Sequence, residues 1–137
     1  MKTTNRVRCL TLGMGLVLSA AVGAADFDGS ESLTCTPLAA YSCVPGKACS
    51  KVKPESEPPR VMTIDPTNKT VEAPYRTELL PIANSAVNAE QLQLQGTAEK
   101  FAWSAVVNRQ TGKVTITIAD RSGAYVLFGQ CRVRVGG

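Results

Sequence analysis

Side chains that could carry out catalysis are few in this chain. It has no histidine, which is the commonest general base and the commonest protein ligand of zinc. A nucleophilic Ser104, Thr111 or Ser122 would therefore need a lysine or a carboxylate as its base, and none of the three is followed by a lysine at the Ser-x-x-Lys spacing. The acidic residues lie mostly singly, so no carboxylate pair suited to glycoside hydrolysis stands out. We expect no enzyme activity, no metal site and no cofactor.

Cysteines supply the clearest covalent chemistry of the sequence. Of five cysteines, Cys9 lies in the leader described below, and the even set that follows it is Cys35, Cys43, Cys49 and Cys131. In an exported chain such a set predicts two disulfides, for which three connectivities exist. The Pro45-Gly46 turn can bring Cys43 and Cys49 together, so we favour that pair, which leaves Cys35 bonded to Cys131.

Aromatic and turn residues are the candidates for non-covalent contact with a ligand or partner. Trp103, the only tryptophan, and Tyr125 could line a ligand cleft or a partner surface, or pack in the core. Arg121, Ser122 and Gly123 belong to a predicted turn that could reach the same partner. Arg121 could also form a small basic patch with Arg132 and Arg134, but a solvated edge that discourages strand pairing is the favoured interpretation of these three arginines.

The first 25 residues have the pattern of a Sec-type signal peptide. Lys2, Arg6 and Arg8 precede a largely apolar stretch that ends in small residues. At about 1.5 Å per residue this stretch is shorter than the roughly 30 Å hydrocarbon core of a bilayer. We therefore predict cleavage after Ala25, no stable membrane insertion afterwards, and a periplasmic or secreted protein. Cleavage lowers the formal net charge from +4 to +1, which argues against nucleic acid as a partner.

Short extended segments separated by turn residues follow from residue 60 onward. Polar and apolar residues alternate over 91–95, and the β-branched run 114–118 disfavours a helix. The segment 124–128 is apolar on both faces, so we place it at the centre of a sheet. The pattern predicts an all-β fold, a small antiparallel meander that forms a curved sheet or a partly closed barrel. The expected core residues are Ile64, Leu79, Leu92, Leu94, Trp103, Ile116, Ile118 and Leu127 or Phe128.

Other segments are predicted to be irregular or short. Residues 33–50 are expected to form a cysteine-containing loop broken by Pro37, and 51–59 a charged, Pro-rich linker. Residues 65–69 have the composition of a turn, residues 75–82 are an extended run whose end becomes a sheet edge at Pro81, and 83–89 fit a helical turn or a loop. The chain thus divides into a signal peptide (1–25), a loop and linker region (26–59) and an antiparallel β domain (60–137), with 26–137 as one globular unit.

Several short segments resemble a known group of proteins: Phe27-Asp28-Gly29-Ser30, Leu33-Thr34-Cys35, the stretch 43–49, Leu94-Gln95-Gly96, Trp103-Ser104, Thr111-Gly112-Lys113 and Phe128-Gly129-Gln130-Cys131. In them the chain resembles small exported four-cysteine proteins of Gram-negative bacteria, which implies a periplasmic location and the four-cysteine framework but no activity. A looser similarity, in size, export, disulfides and compact β-structure, is to the periplasmic inhibitors of c-type lysozyme. Those inhibitors insert a Ser-Gly-x-x-Tyr loop into the enzyme's cleft, and the stretch from Ser122 to Tyr125 is one residue shorter.

The expected function is binding rather than catalysis. The favoured partner is a periplasmic or envelope protein, or another component of the envelope. Two alternatives stay open: an inhibitor of a cell-wall lytic enzyme that inserts residues 120–125, and a binder of small ligands in a barrel mouth beside Trp103. The sequence leaves the oligomeric state open.

Overall fold

The computed structural model describes residues 26–53, 61–73 and 76–135, in which all regular structure is β-strand. The predicted signal peptide and most of the predicted Pro-rich linker lie outside these ranges. Within them, no helix is long and apolar enough to cross a membrane. The described strands are β1 (Leu33–Cys43), β2 (Ser50–Val52), β3 (Met62–Asp65), β4 (Thr70–Glu72), β5 (Leu80–Pro81), β6 (Asn84–Val87), β7 (Gln91–Thr97), β8 (Ala102–Asn108), β9 (Lys113–Asp120) and β10 (Gly123–Val133).

One curved antiparallel sheet contains all of these strands and forms a half-barrel. Its strand order is β5-β4-β3-β1-β10-β9-β8-β7-β6, and β2 is added to β1 beside this path. The consecutive strands β6 to β10 form the predicted meander, because each pairs with the next along the chain. The all-β prediction is confirmed, and β10 lies at the centre of the order as its two apolar faces predicted.

Strand β1 corrects the prediction of a loop over residues 33–50. It is an 11-residue strand that pairs with β10 from Leu33 opposite Val133 to Cys43 opposite Ala124. Pro37 suggested a break, but it lies at a register shift before Ala39. Such bulges tolerate a proline within a strand. Residues 33–43 of the predicted loop are therefore one half of the central strand pair, and the loop itself is limited to 44–49.

The stretches 75–82 and 83–89 differ from their prediction. The extended run predicted over 75–82 is only the two-residue β5 in the described residues. There Leu80 is buried, whereas the expected core residue Leu79 is 61% exposed. The predicted alternation was shifted by one residue, and such a shift exchanges the two faces of an extended segment. Phe128 is likewise exposed, and its neighbour Leu127 packs against the core. Residues 83–89 contain strand β6 rather than a helical turn or loop. All four side chains of β6 are exposed, so they give no apolar alternation.

A single segment of chain forms both ends of the sheet. Strand β5 pairs with β4 and β6 pairs with β7, yet only Ile82 and Ala83 separate β5 from β6. The Ile82 amide donates to the Lys69 carbonyl at 2.9 Å, and the Ala83 amide donates to the Gln95 carbonyl at 2.8 Å. Residues 80–87 therefore bring the two ends of the curved sheet together.

The core lies on the concave side of this sheet. Alternation in β7 buries Leu92 and Leu94 and exposes the glutamines to the opposite face. The buried hydrophobic cluster also contains Phe27, Leu33, Cys35, Met62, Ile64, Val71, Leu80, Ile82, Trp103, Ala105, Val107, Val114, Ile116 and Cys131. Ile118, expected in the core, is only partly buried and packs against this cluster.

Both predicted disulfides are confirmed. Cys35 bonds to Cys131, its direct partner in the β1–β10 register, and Cys43 bonds to Cys49. Cys35 and Cys131 are each 1% exposed, so this bond belongs to the core. Two disulfides indicate an oxidising, extracytoplasmic environment.

Removal of the core disulfide is expected to destabilise the protein more than removal of the loop disulfide. The bonded cysteines are 96 residues apart in one case and 6 in the other. Loop entropy then gives contributions of about 4.7 and about 2.4 kcal/mol to the free energy of unfolding. Urea unfolding of the Cys35→Ala/Cys131→Ala and Cys43→Ala/Cys49→Ala variants, followed by tryptophan fluorescence, measures the difference. Equal losses, or a larger loss for the second variant, would contradict the assigned role of the core disulfide.

Candidate functional site

An open groove of about 340 Å³ lies over β7, β8 and β9, where β5 passes into β6. None of its lining residues is ionisable. The polar side chains that line it are Asn84, Gln95, Thr97, Ser104 and Thr117, and the remaining lining residues are Ala83, Gly96, Ala102, Trp103 and Ala119. The groove is therefore uncharged, with amide and hydroxyl groups and small side chains that leave room between them.

Strand register brings these polar residues together. Gln95 pairs with Asn84 on one side and with Ser104 on the other, and Ser104 pairs with Thr117. Cross-strand partners share a face of the sheet, so the four side chains form one row across β6, β7, β8 and β9. The hydroxyl groups of Ser104 and Thr117 are 2.6 Å apart and share a hydrogen bond.

Trp103 lies below this row on the core side and is 7% exposed. Its cross-strand partner is Gly96. A Cβ atom on Gly96 would overlap the Pro81 carbonyl oxygen and lie 2.6 Å from Cε2 of Trp103, so the indole ring occupies the space that a side chain would need. Nε1 of Trp103 is the only buried side-chain nitrogen or oxygen atom among the described residues that lacks a hydrogen-bond partner.

The predicted contact residues Trp103 and Tyr125 share a face. Both are register partners of Ile118, from β8 and β10 respectively, so one strand separates them. Trp103 is buried in the core cluster, whereas Tyr125 is 51% exposed. Of the two roles considered for Trp103, core packing is therefore the one that its side chain has. Tyr125 is accessible for contact with a partner.

The predicted turn residues form the tip of the β9–β10 hairpin. Asp120 pairs with Gly123, and the exposed Arg121 and Ser122 lie between them. The Asp120 carboxylate accepts hydrogen bonds from the backbone amides of Ser122 at 2.6 Å and Gly123 at 3.1 Å. Ala119, which precedes Asp120, lines the groove, so the hairpin begins where the groove ends.

Shifted pKa values mark turns rather than the groove. The Asn68 backbone amide and then its side chain donate to Asp65 and lower the pKa of that carboxyl group. The Ser30 hydroxyl and amide do the same for Asp28. The pKa of Arg109 is raised by its hydrogen bond and ion pair with Asp26, at 2.6 Å. Each of these pKa shifts arises in an exposed turn or loop contact. None of the three groups lines the groove.

Two further arrangements bear on catalysis. Within the described ranges no three histidine, cysteine, aspartate or glutamate side chains are grouped so that they could hold a metal ion. Ser50 and Lys53 have the Ser-x-x-Lys spacing, but residues three apart in an extended chain point to opposite faces. Both are exposed, so this spacing creates no nucleophile–base pair.

The sequence did not point to the row Asn84, Gln95, Ser104 and Thr117. The alternation of β7 and β9 places Gln95 and Thr117 away from the core, which was the available signal. That signal does not show which polar residues of separate strands become neighbours, because the register is set by tertiary pairing.

A methyl group at Gly96 is expected to disturb both the groove and the indole. Gly96→Ala should lower stability by about 1–3 kcal/mol, as overpacking of a filled core does, and should shift the emission of Trp103. Gly46→Ala is a matched control, because an added Cβ there meets nothing within 4 Å and adds only the strain of its φ of +74°. Denaturant unfolding and emission spectra test this, and an unshifted Gly96→Ala spectrum would count against the described packing.

Comparison with known proteins identifies no relative of this chain. No protein-family model, curated protein or solved structure matches the chain. Its function must therefore be inferred from the arrangement of its own residues.

Proposed function

We propose that this protein is a non-enzymatic binding module, exported through the Sec pathway to the periplasm, and that its groove recognises an uncharged glycan component of the envelope. The observation that carries the proposal is the lining of the groove, which combines amides and hydroxyl groups with small side chains and contains no ionisable residue. The two disulfides support an extracytoplasmic location, and the pattern of residues 1–25 supports the export route.

Uncharged saccharides are chemically suited to this lining. Side-chain amides and hydroxyl groups both donate and accept hydrogen bonds, as do sugar hydroxyl and acetamido groups. A phosphate or carboxylate ligand would instead require a cation or a cluster of backbone donors. The row of Asn84, Gln95, Ser104 and Thr117 offers donors and acceptors without a fixed charge.

Trp103 can report on the groove from the opposite face of β8. Its side chain alternates with that of Ser104 and lies on the core side. A ligand that covers Ser104 would therefore change the surroundings of the indole through the strand, without contacting it.

Binding without catalysis is favoured by the same lining. General acid–base catalysis needs a titratable group within reach of the reacting bond, and the groove has none. Its small side chains instead leave a surface that a ligand can cover.

Emission of the single tryptophan tests this function. We expect tri-N-acetylglucosamine, as an uncharged glycan probe, to cause a saturable change in Trp103 emission. Gln95→Ala should weaken the affinity about two- to tenfold, since one hydrogen bond contributes about 0.5–1.5 kcal/mol. Gln93→Ala is the matched control, because Gln93 lies on the same strand and face but does not line the groove. No saturable change, or equal losses in the two variants, would reject the proposed glycan site.

An inhibitor of a cell-wall lytic enzyme is the second candidate function. The exposed tip Arg121-Ser122 is held by two hydrogen bonds to Asp120, and Gly123 packs against the Cys43 carbonyl beside the second disulfide. A loop fixed in one conformation loses little entropy when it inserts into a cleft.

Assays with c-type lysozyme test the second candidate. If the hairpin inserts, excess protein should inhibit the enzyme, and Arg121→Glu should weaken inhibition at least tenfold. Lys69→Glu introduces the same charge change at another exposed turn and should inhibit like the unmodified protein. Full lysozyme activity at a large excess of protein would eliminate this candidate.

A further inference from the structure

The central strands carry a surface with an unusual charge distribution. Strands β1, β2 and β10 contain no acidic residue, and neither does the whole stretch 33–53. Lys47, Lys51 and Lys53 lie in that stretch and are all exposed. The described part of the chain contains no ion pair to any of them. The described stretch 33–53 therefore presents three lysines and no carboxylate at this surface.

Apolar side chains lie on the same side, away from the core. Tyr41 and Phe128 contact each other edge to face with ring centroids 6.2 Å apart. Phe128 is 44% exposed, and Leu38, at the register shift of β1, is 68% exposed. Val106 extends the row because Thr115 pairs with both Phe128 and Val106. We call Leu38, Tyr41, Val106 and Phe128 the outer patch.

Register places a lysine directly against this patch. Tyr41 pairs with Lys51 of β2 on one side and with Val126 of β10 on the other. Cross-strand partners share a face, so Lys51 borders the outer patch. Lys47 lies in the loop that the Cys43–Cys49 bond closes at the end of the same strand.

We propose that the outer patch docks this protein on a lipid surface that carries anionic phosphate head groups. Exposed leucine and aromatic side chains favour the boundary between head groups and acyl chains. Lysines keep their charge at head-group level while their alkyl stems lie along apolar surface. A soluble acidic partner would account for the lysines but not for the exposed Leu38 and Phe128.

Docking by this face would also position the groove. Tyr41, Val126, Thr117 and Ser104 are successive register partners, so the outer patch and the groove are neighbours on one face. The docked protein would hold the groove beside the membrane surface. The lipid proposal stands independently of the glycan proposal, because it rests on different side chains.

Vesicle binding tests the lipid proposal. The exported, oxidised protein should bind vesicles that contain phosphatidylglycerol, bind vesicles of phosphatidylcholine alone much more weakly, and lose affinity as salt is added. Lys47→Gln/Lys51→Gln should weaken binding about thirtyfold, as expected for two lysines at an anionic surface. Lys69→Gln/Lys100→Gln removes the same charge from other exposed positions and should bind like the unmodified protein.

A second pair of variants separates docking from general charge attraction. Leu38→Ser/Phe128→Ser leaves the charge unchanged and should still weaken binding at least tenfold, with the emission of Trp103 unaltered as evidence of folding. Absence of binding to the anionic vesicles, equal losses in the two lysine pairs, or unchanged binding of Leu38→Ser/Phe128→Ser would each overturn the proposal. Replacement of chloride by inorganic phosphate at constant ionic strength should leave binding unaltered, and loss of binding there would indicate a site for the free ion instead.

Discussion

The antiparallel pairing of β1 with β10 is the interaction on which the other elements depend. It joins the start of the described chain to its end, and the Cys35–Cys131 bond fixes it from within the core. Strands β3 to β9 all lie between these two cysteines, so the bond restricts the whole loop that contains them. One face of the pair supplies buried side chains such as Leu33, and the other face presents Tyr41 and Phe128. Buried packing and the exposed aromatic side chains thus come from opposite faces of one strand pair.

The segment 80–87 has a corresponding role at the ends of the sheet. It pairs with β4 through its first residues and with β7 through its last. The change of partner occurs at Ile82 and Ala83, and Ala83 and Asn84 line the groove. A close approach of Trp103 to Gly96 fills the interior at the same place. The groove therefore lies where the chain passes from one end of the curved sheet to the other.

Sequence patterns predicted the elements whose two faces differ clearly. The alternation around Leu92 and Leu94, the β-branched residues of β9 and the apolar β10 all led to correct strands, and the cysteine spacing led to both disulfides. Strand β1 was missed because a proline disrupts a regular strand but is tolerated at a bulge. The sequence alone does not show that Pro37 lies at a bulge. Strand β6 was missed because an exposed edge strand has no apolar period. The groove could not be predicted, since Gln95, Ser104 and Thr117 become neighbours only through register.

We propose that the groove beside Trp103 is the recognition surface. The only indole of the chain gives a single N–H resonance in the nuclear magnetic resonance spectrum of the 15N-labelled protein, and this proton is buried without a partner. Addition of tri-N-acetylglucosamine should move that resonance together with the side-chain amides of Asn84 and Gln95. A stationary indole resonance, with shifts confined to the hairpin residues Arg121 to Gly123, would rule out the groove as the binding surface.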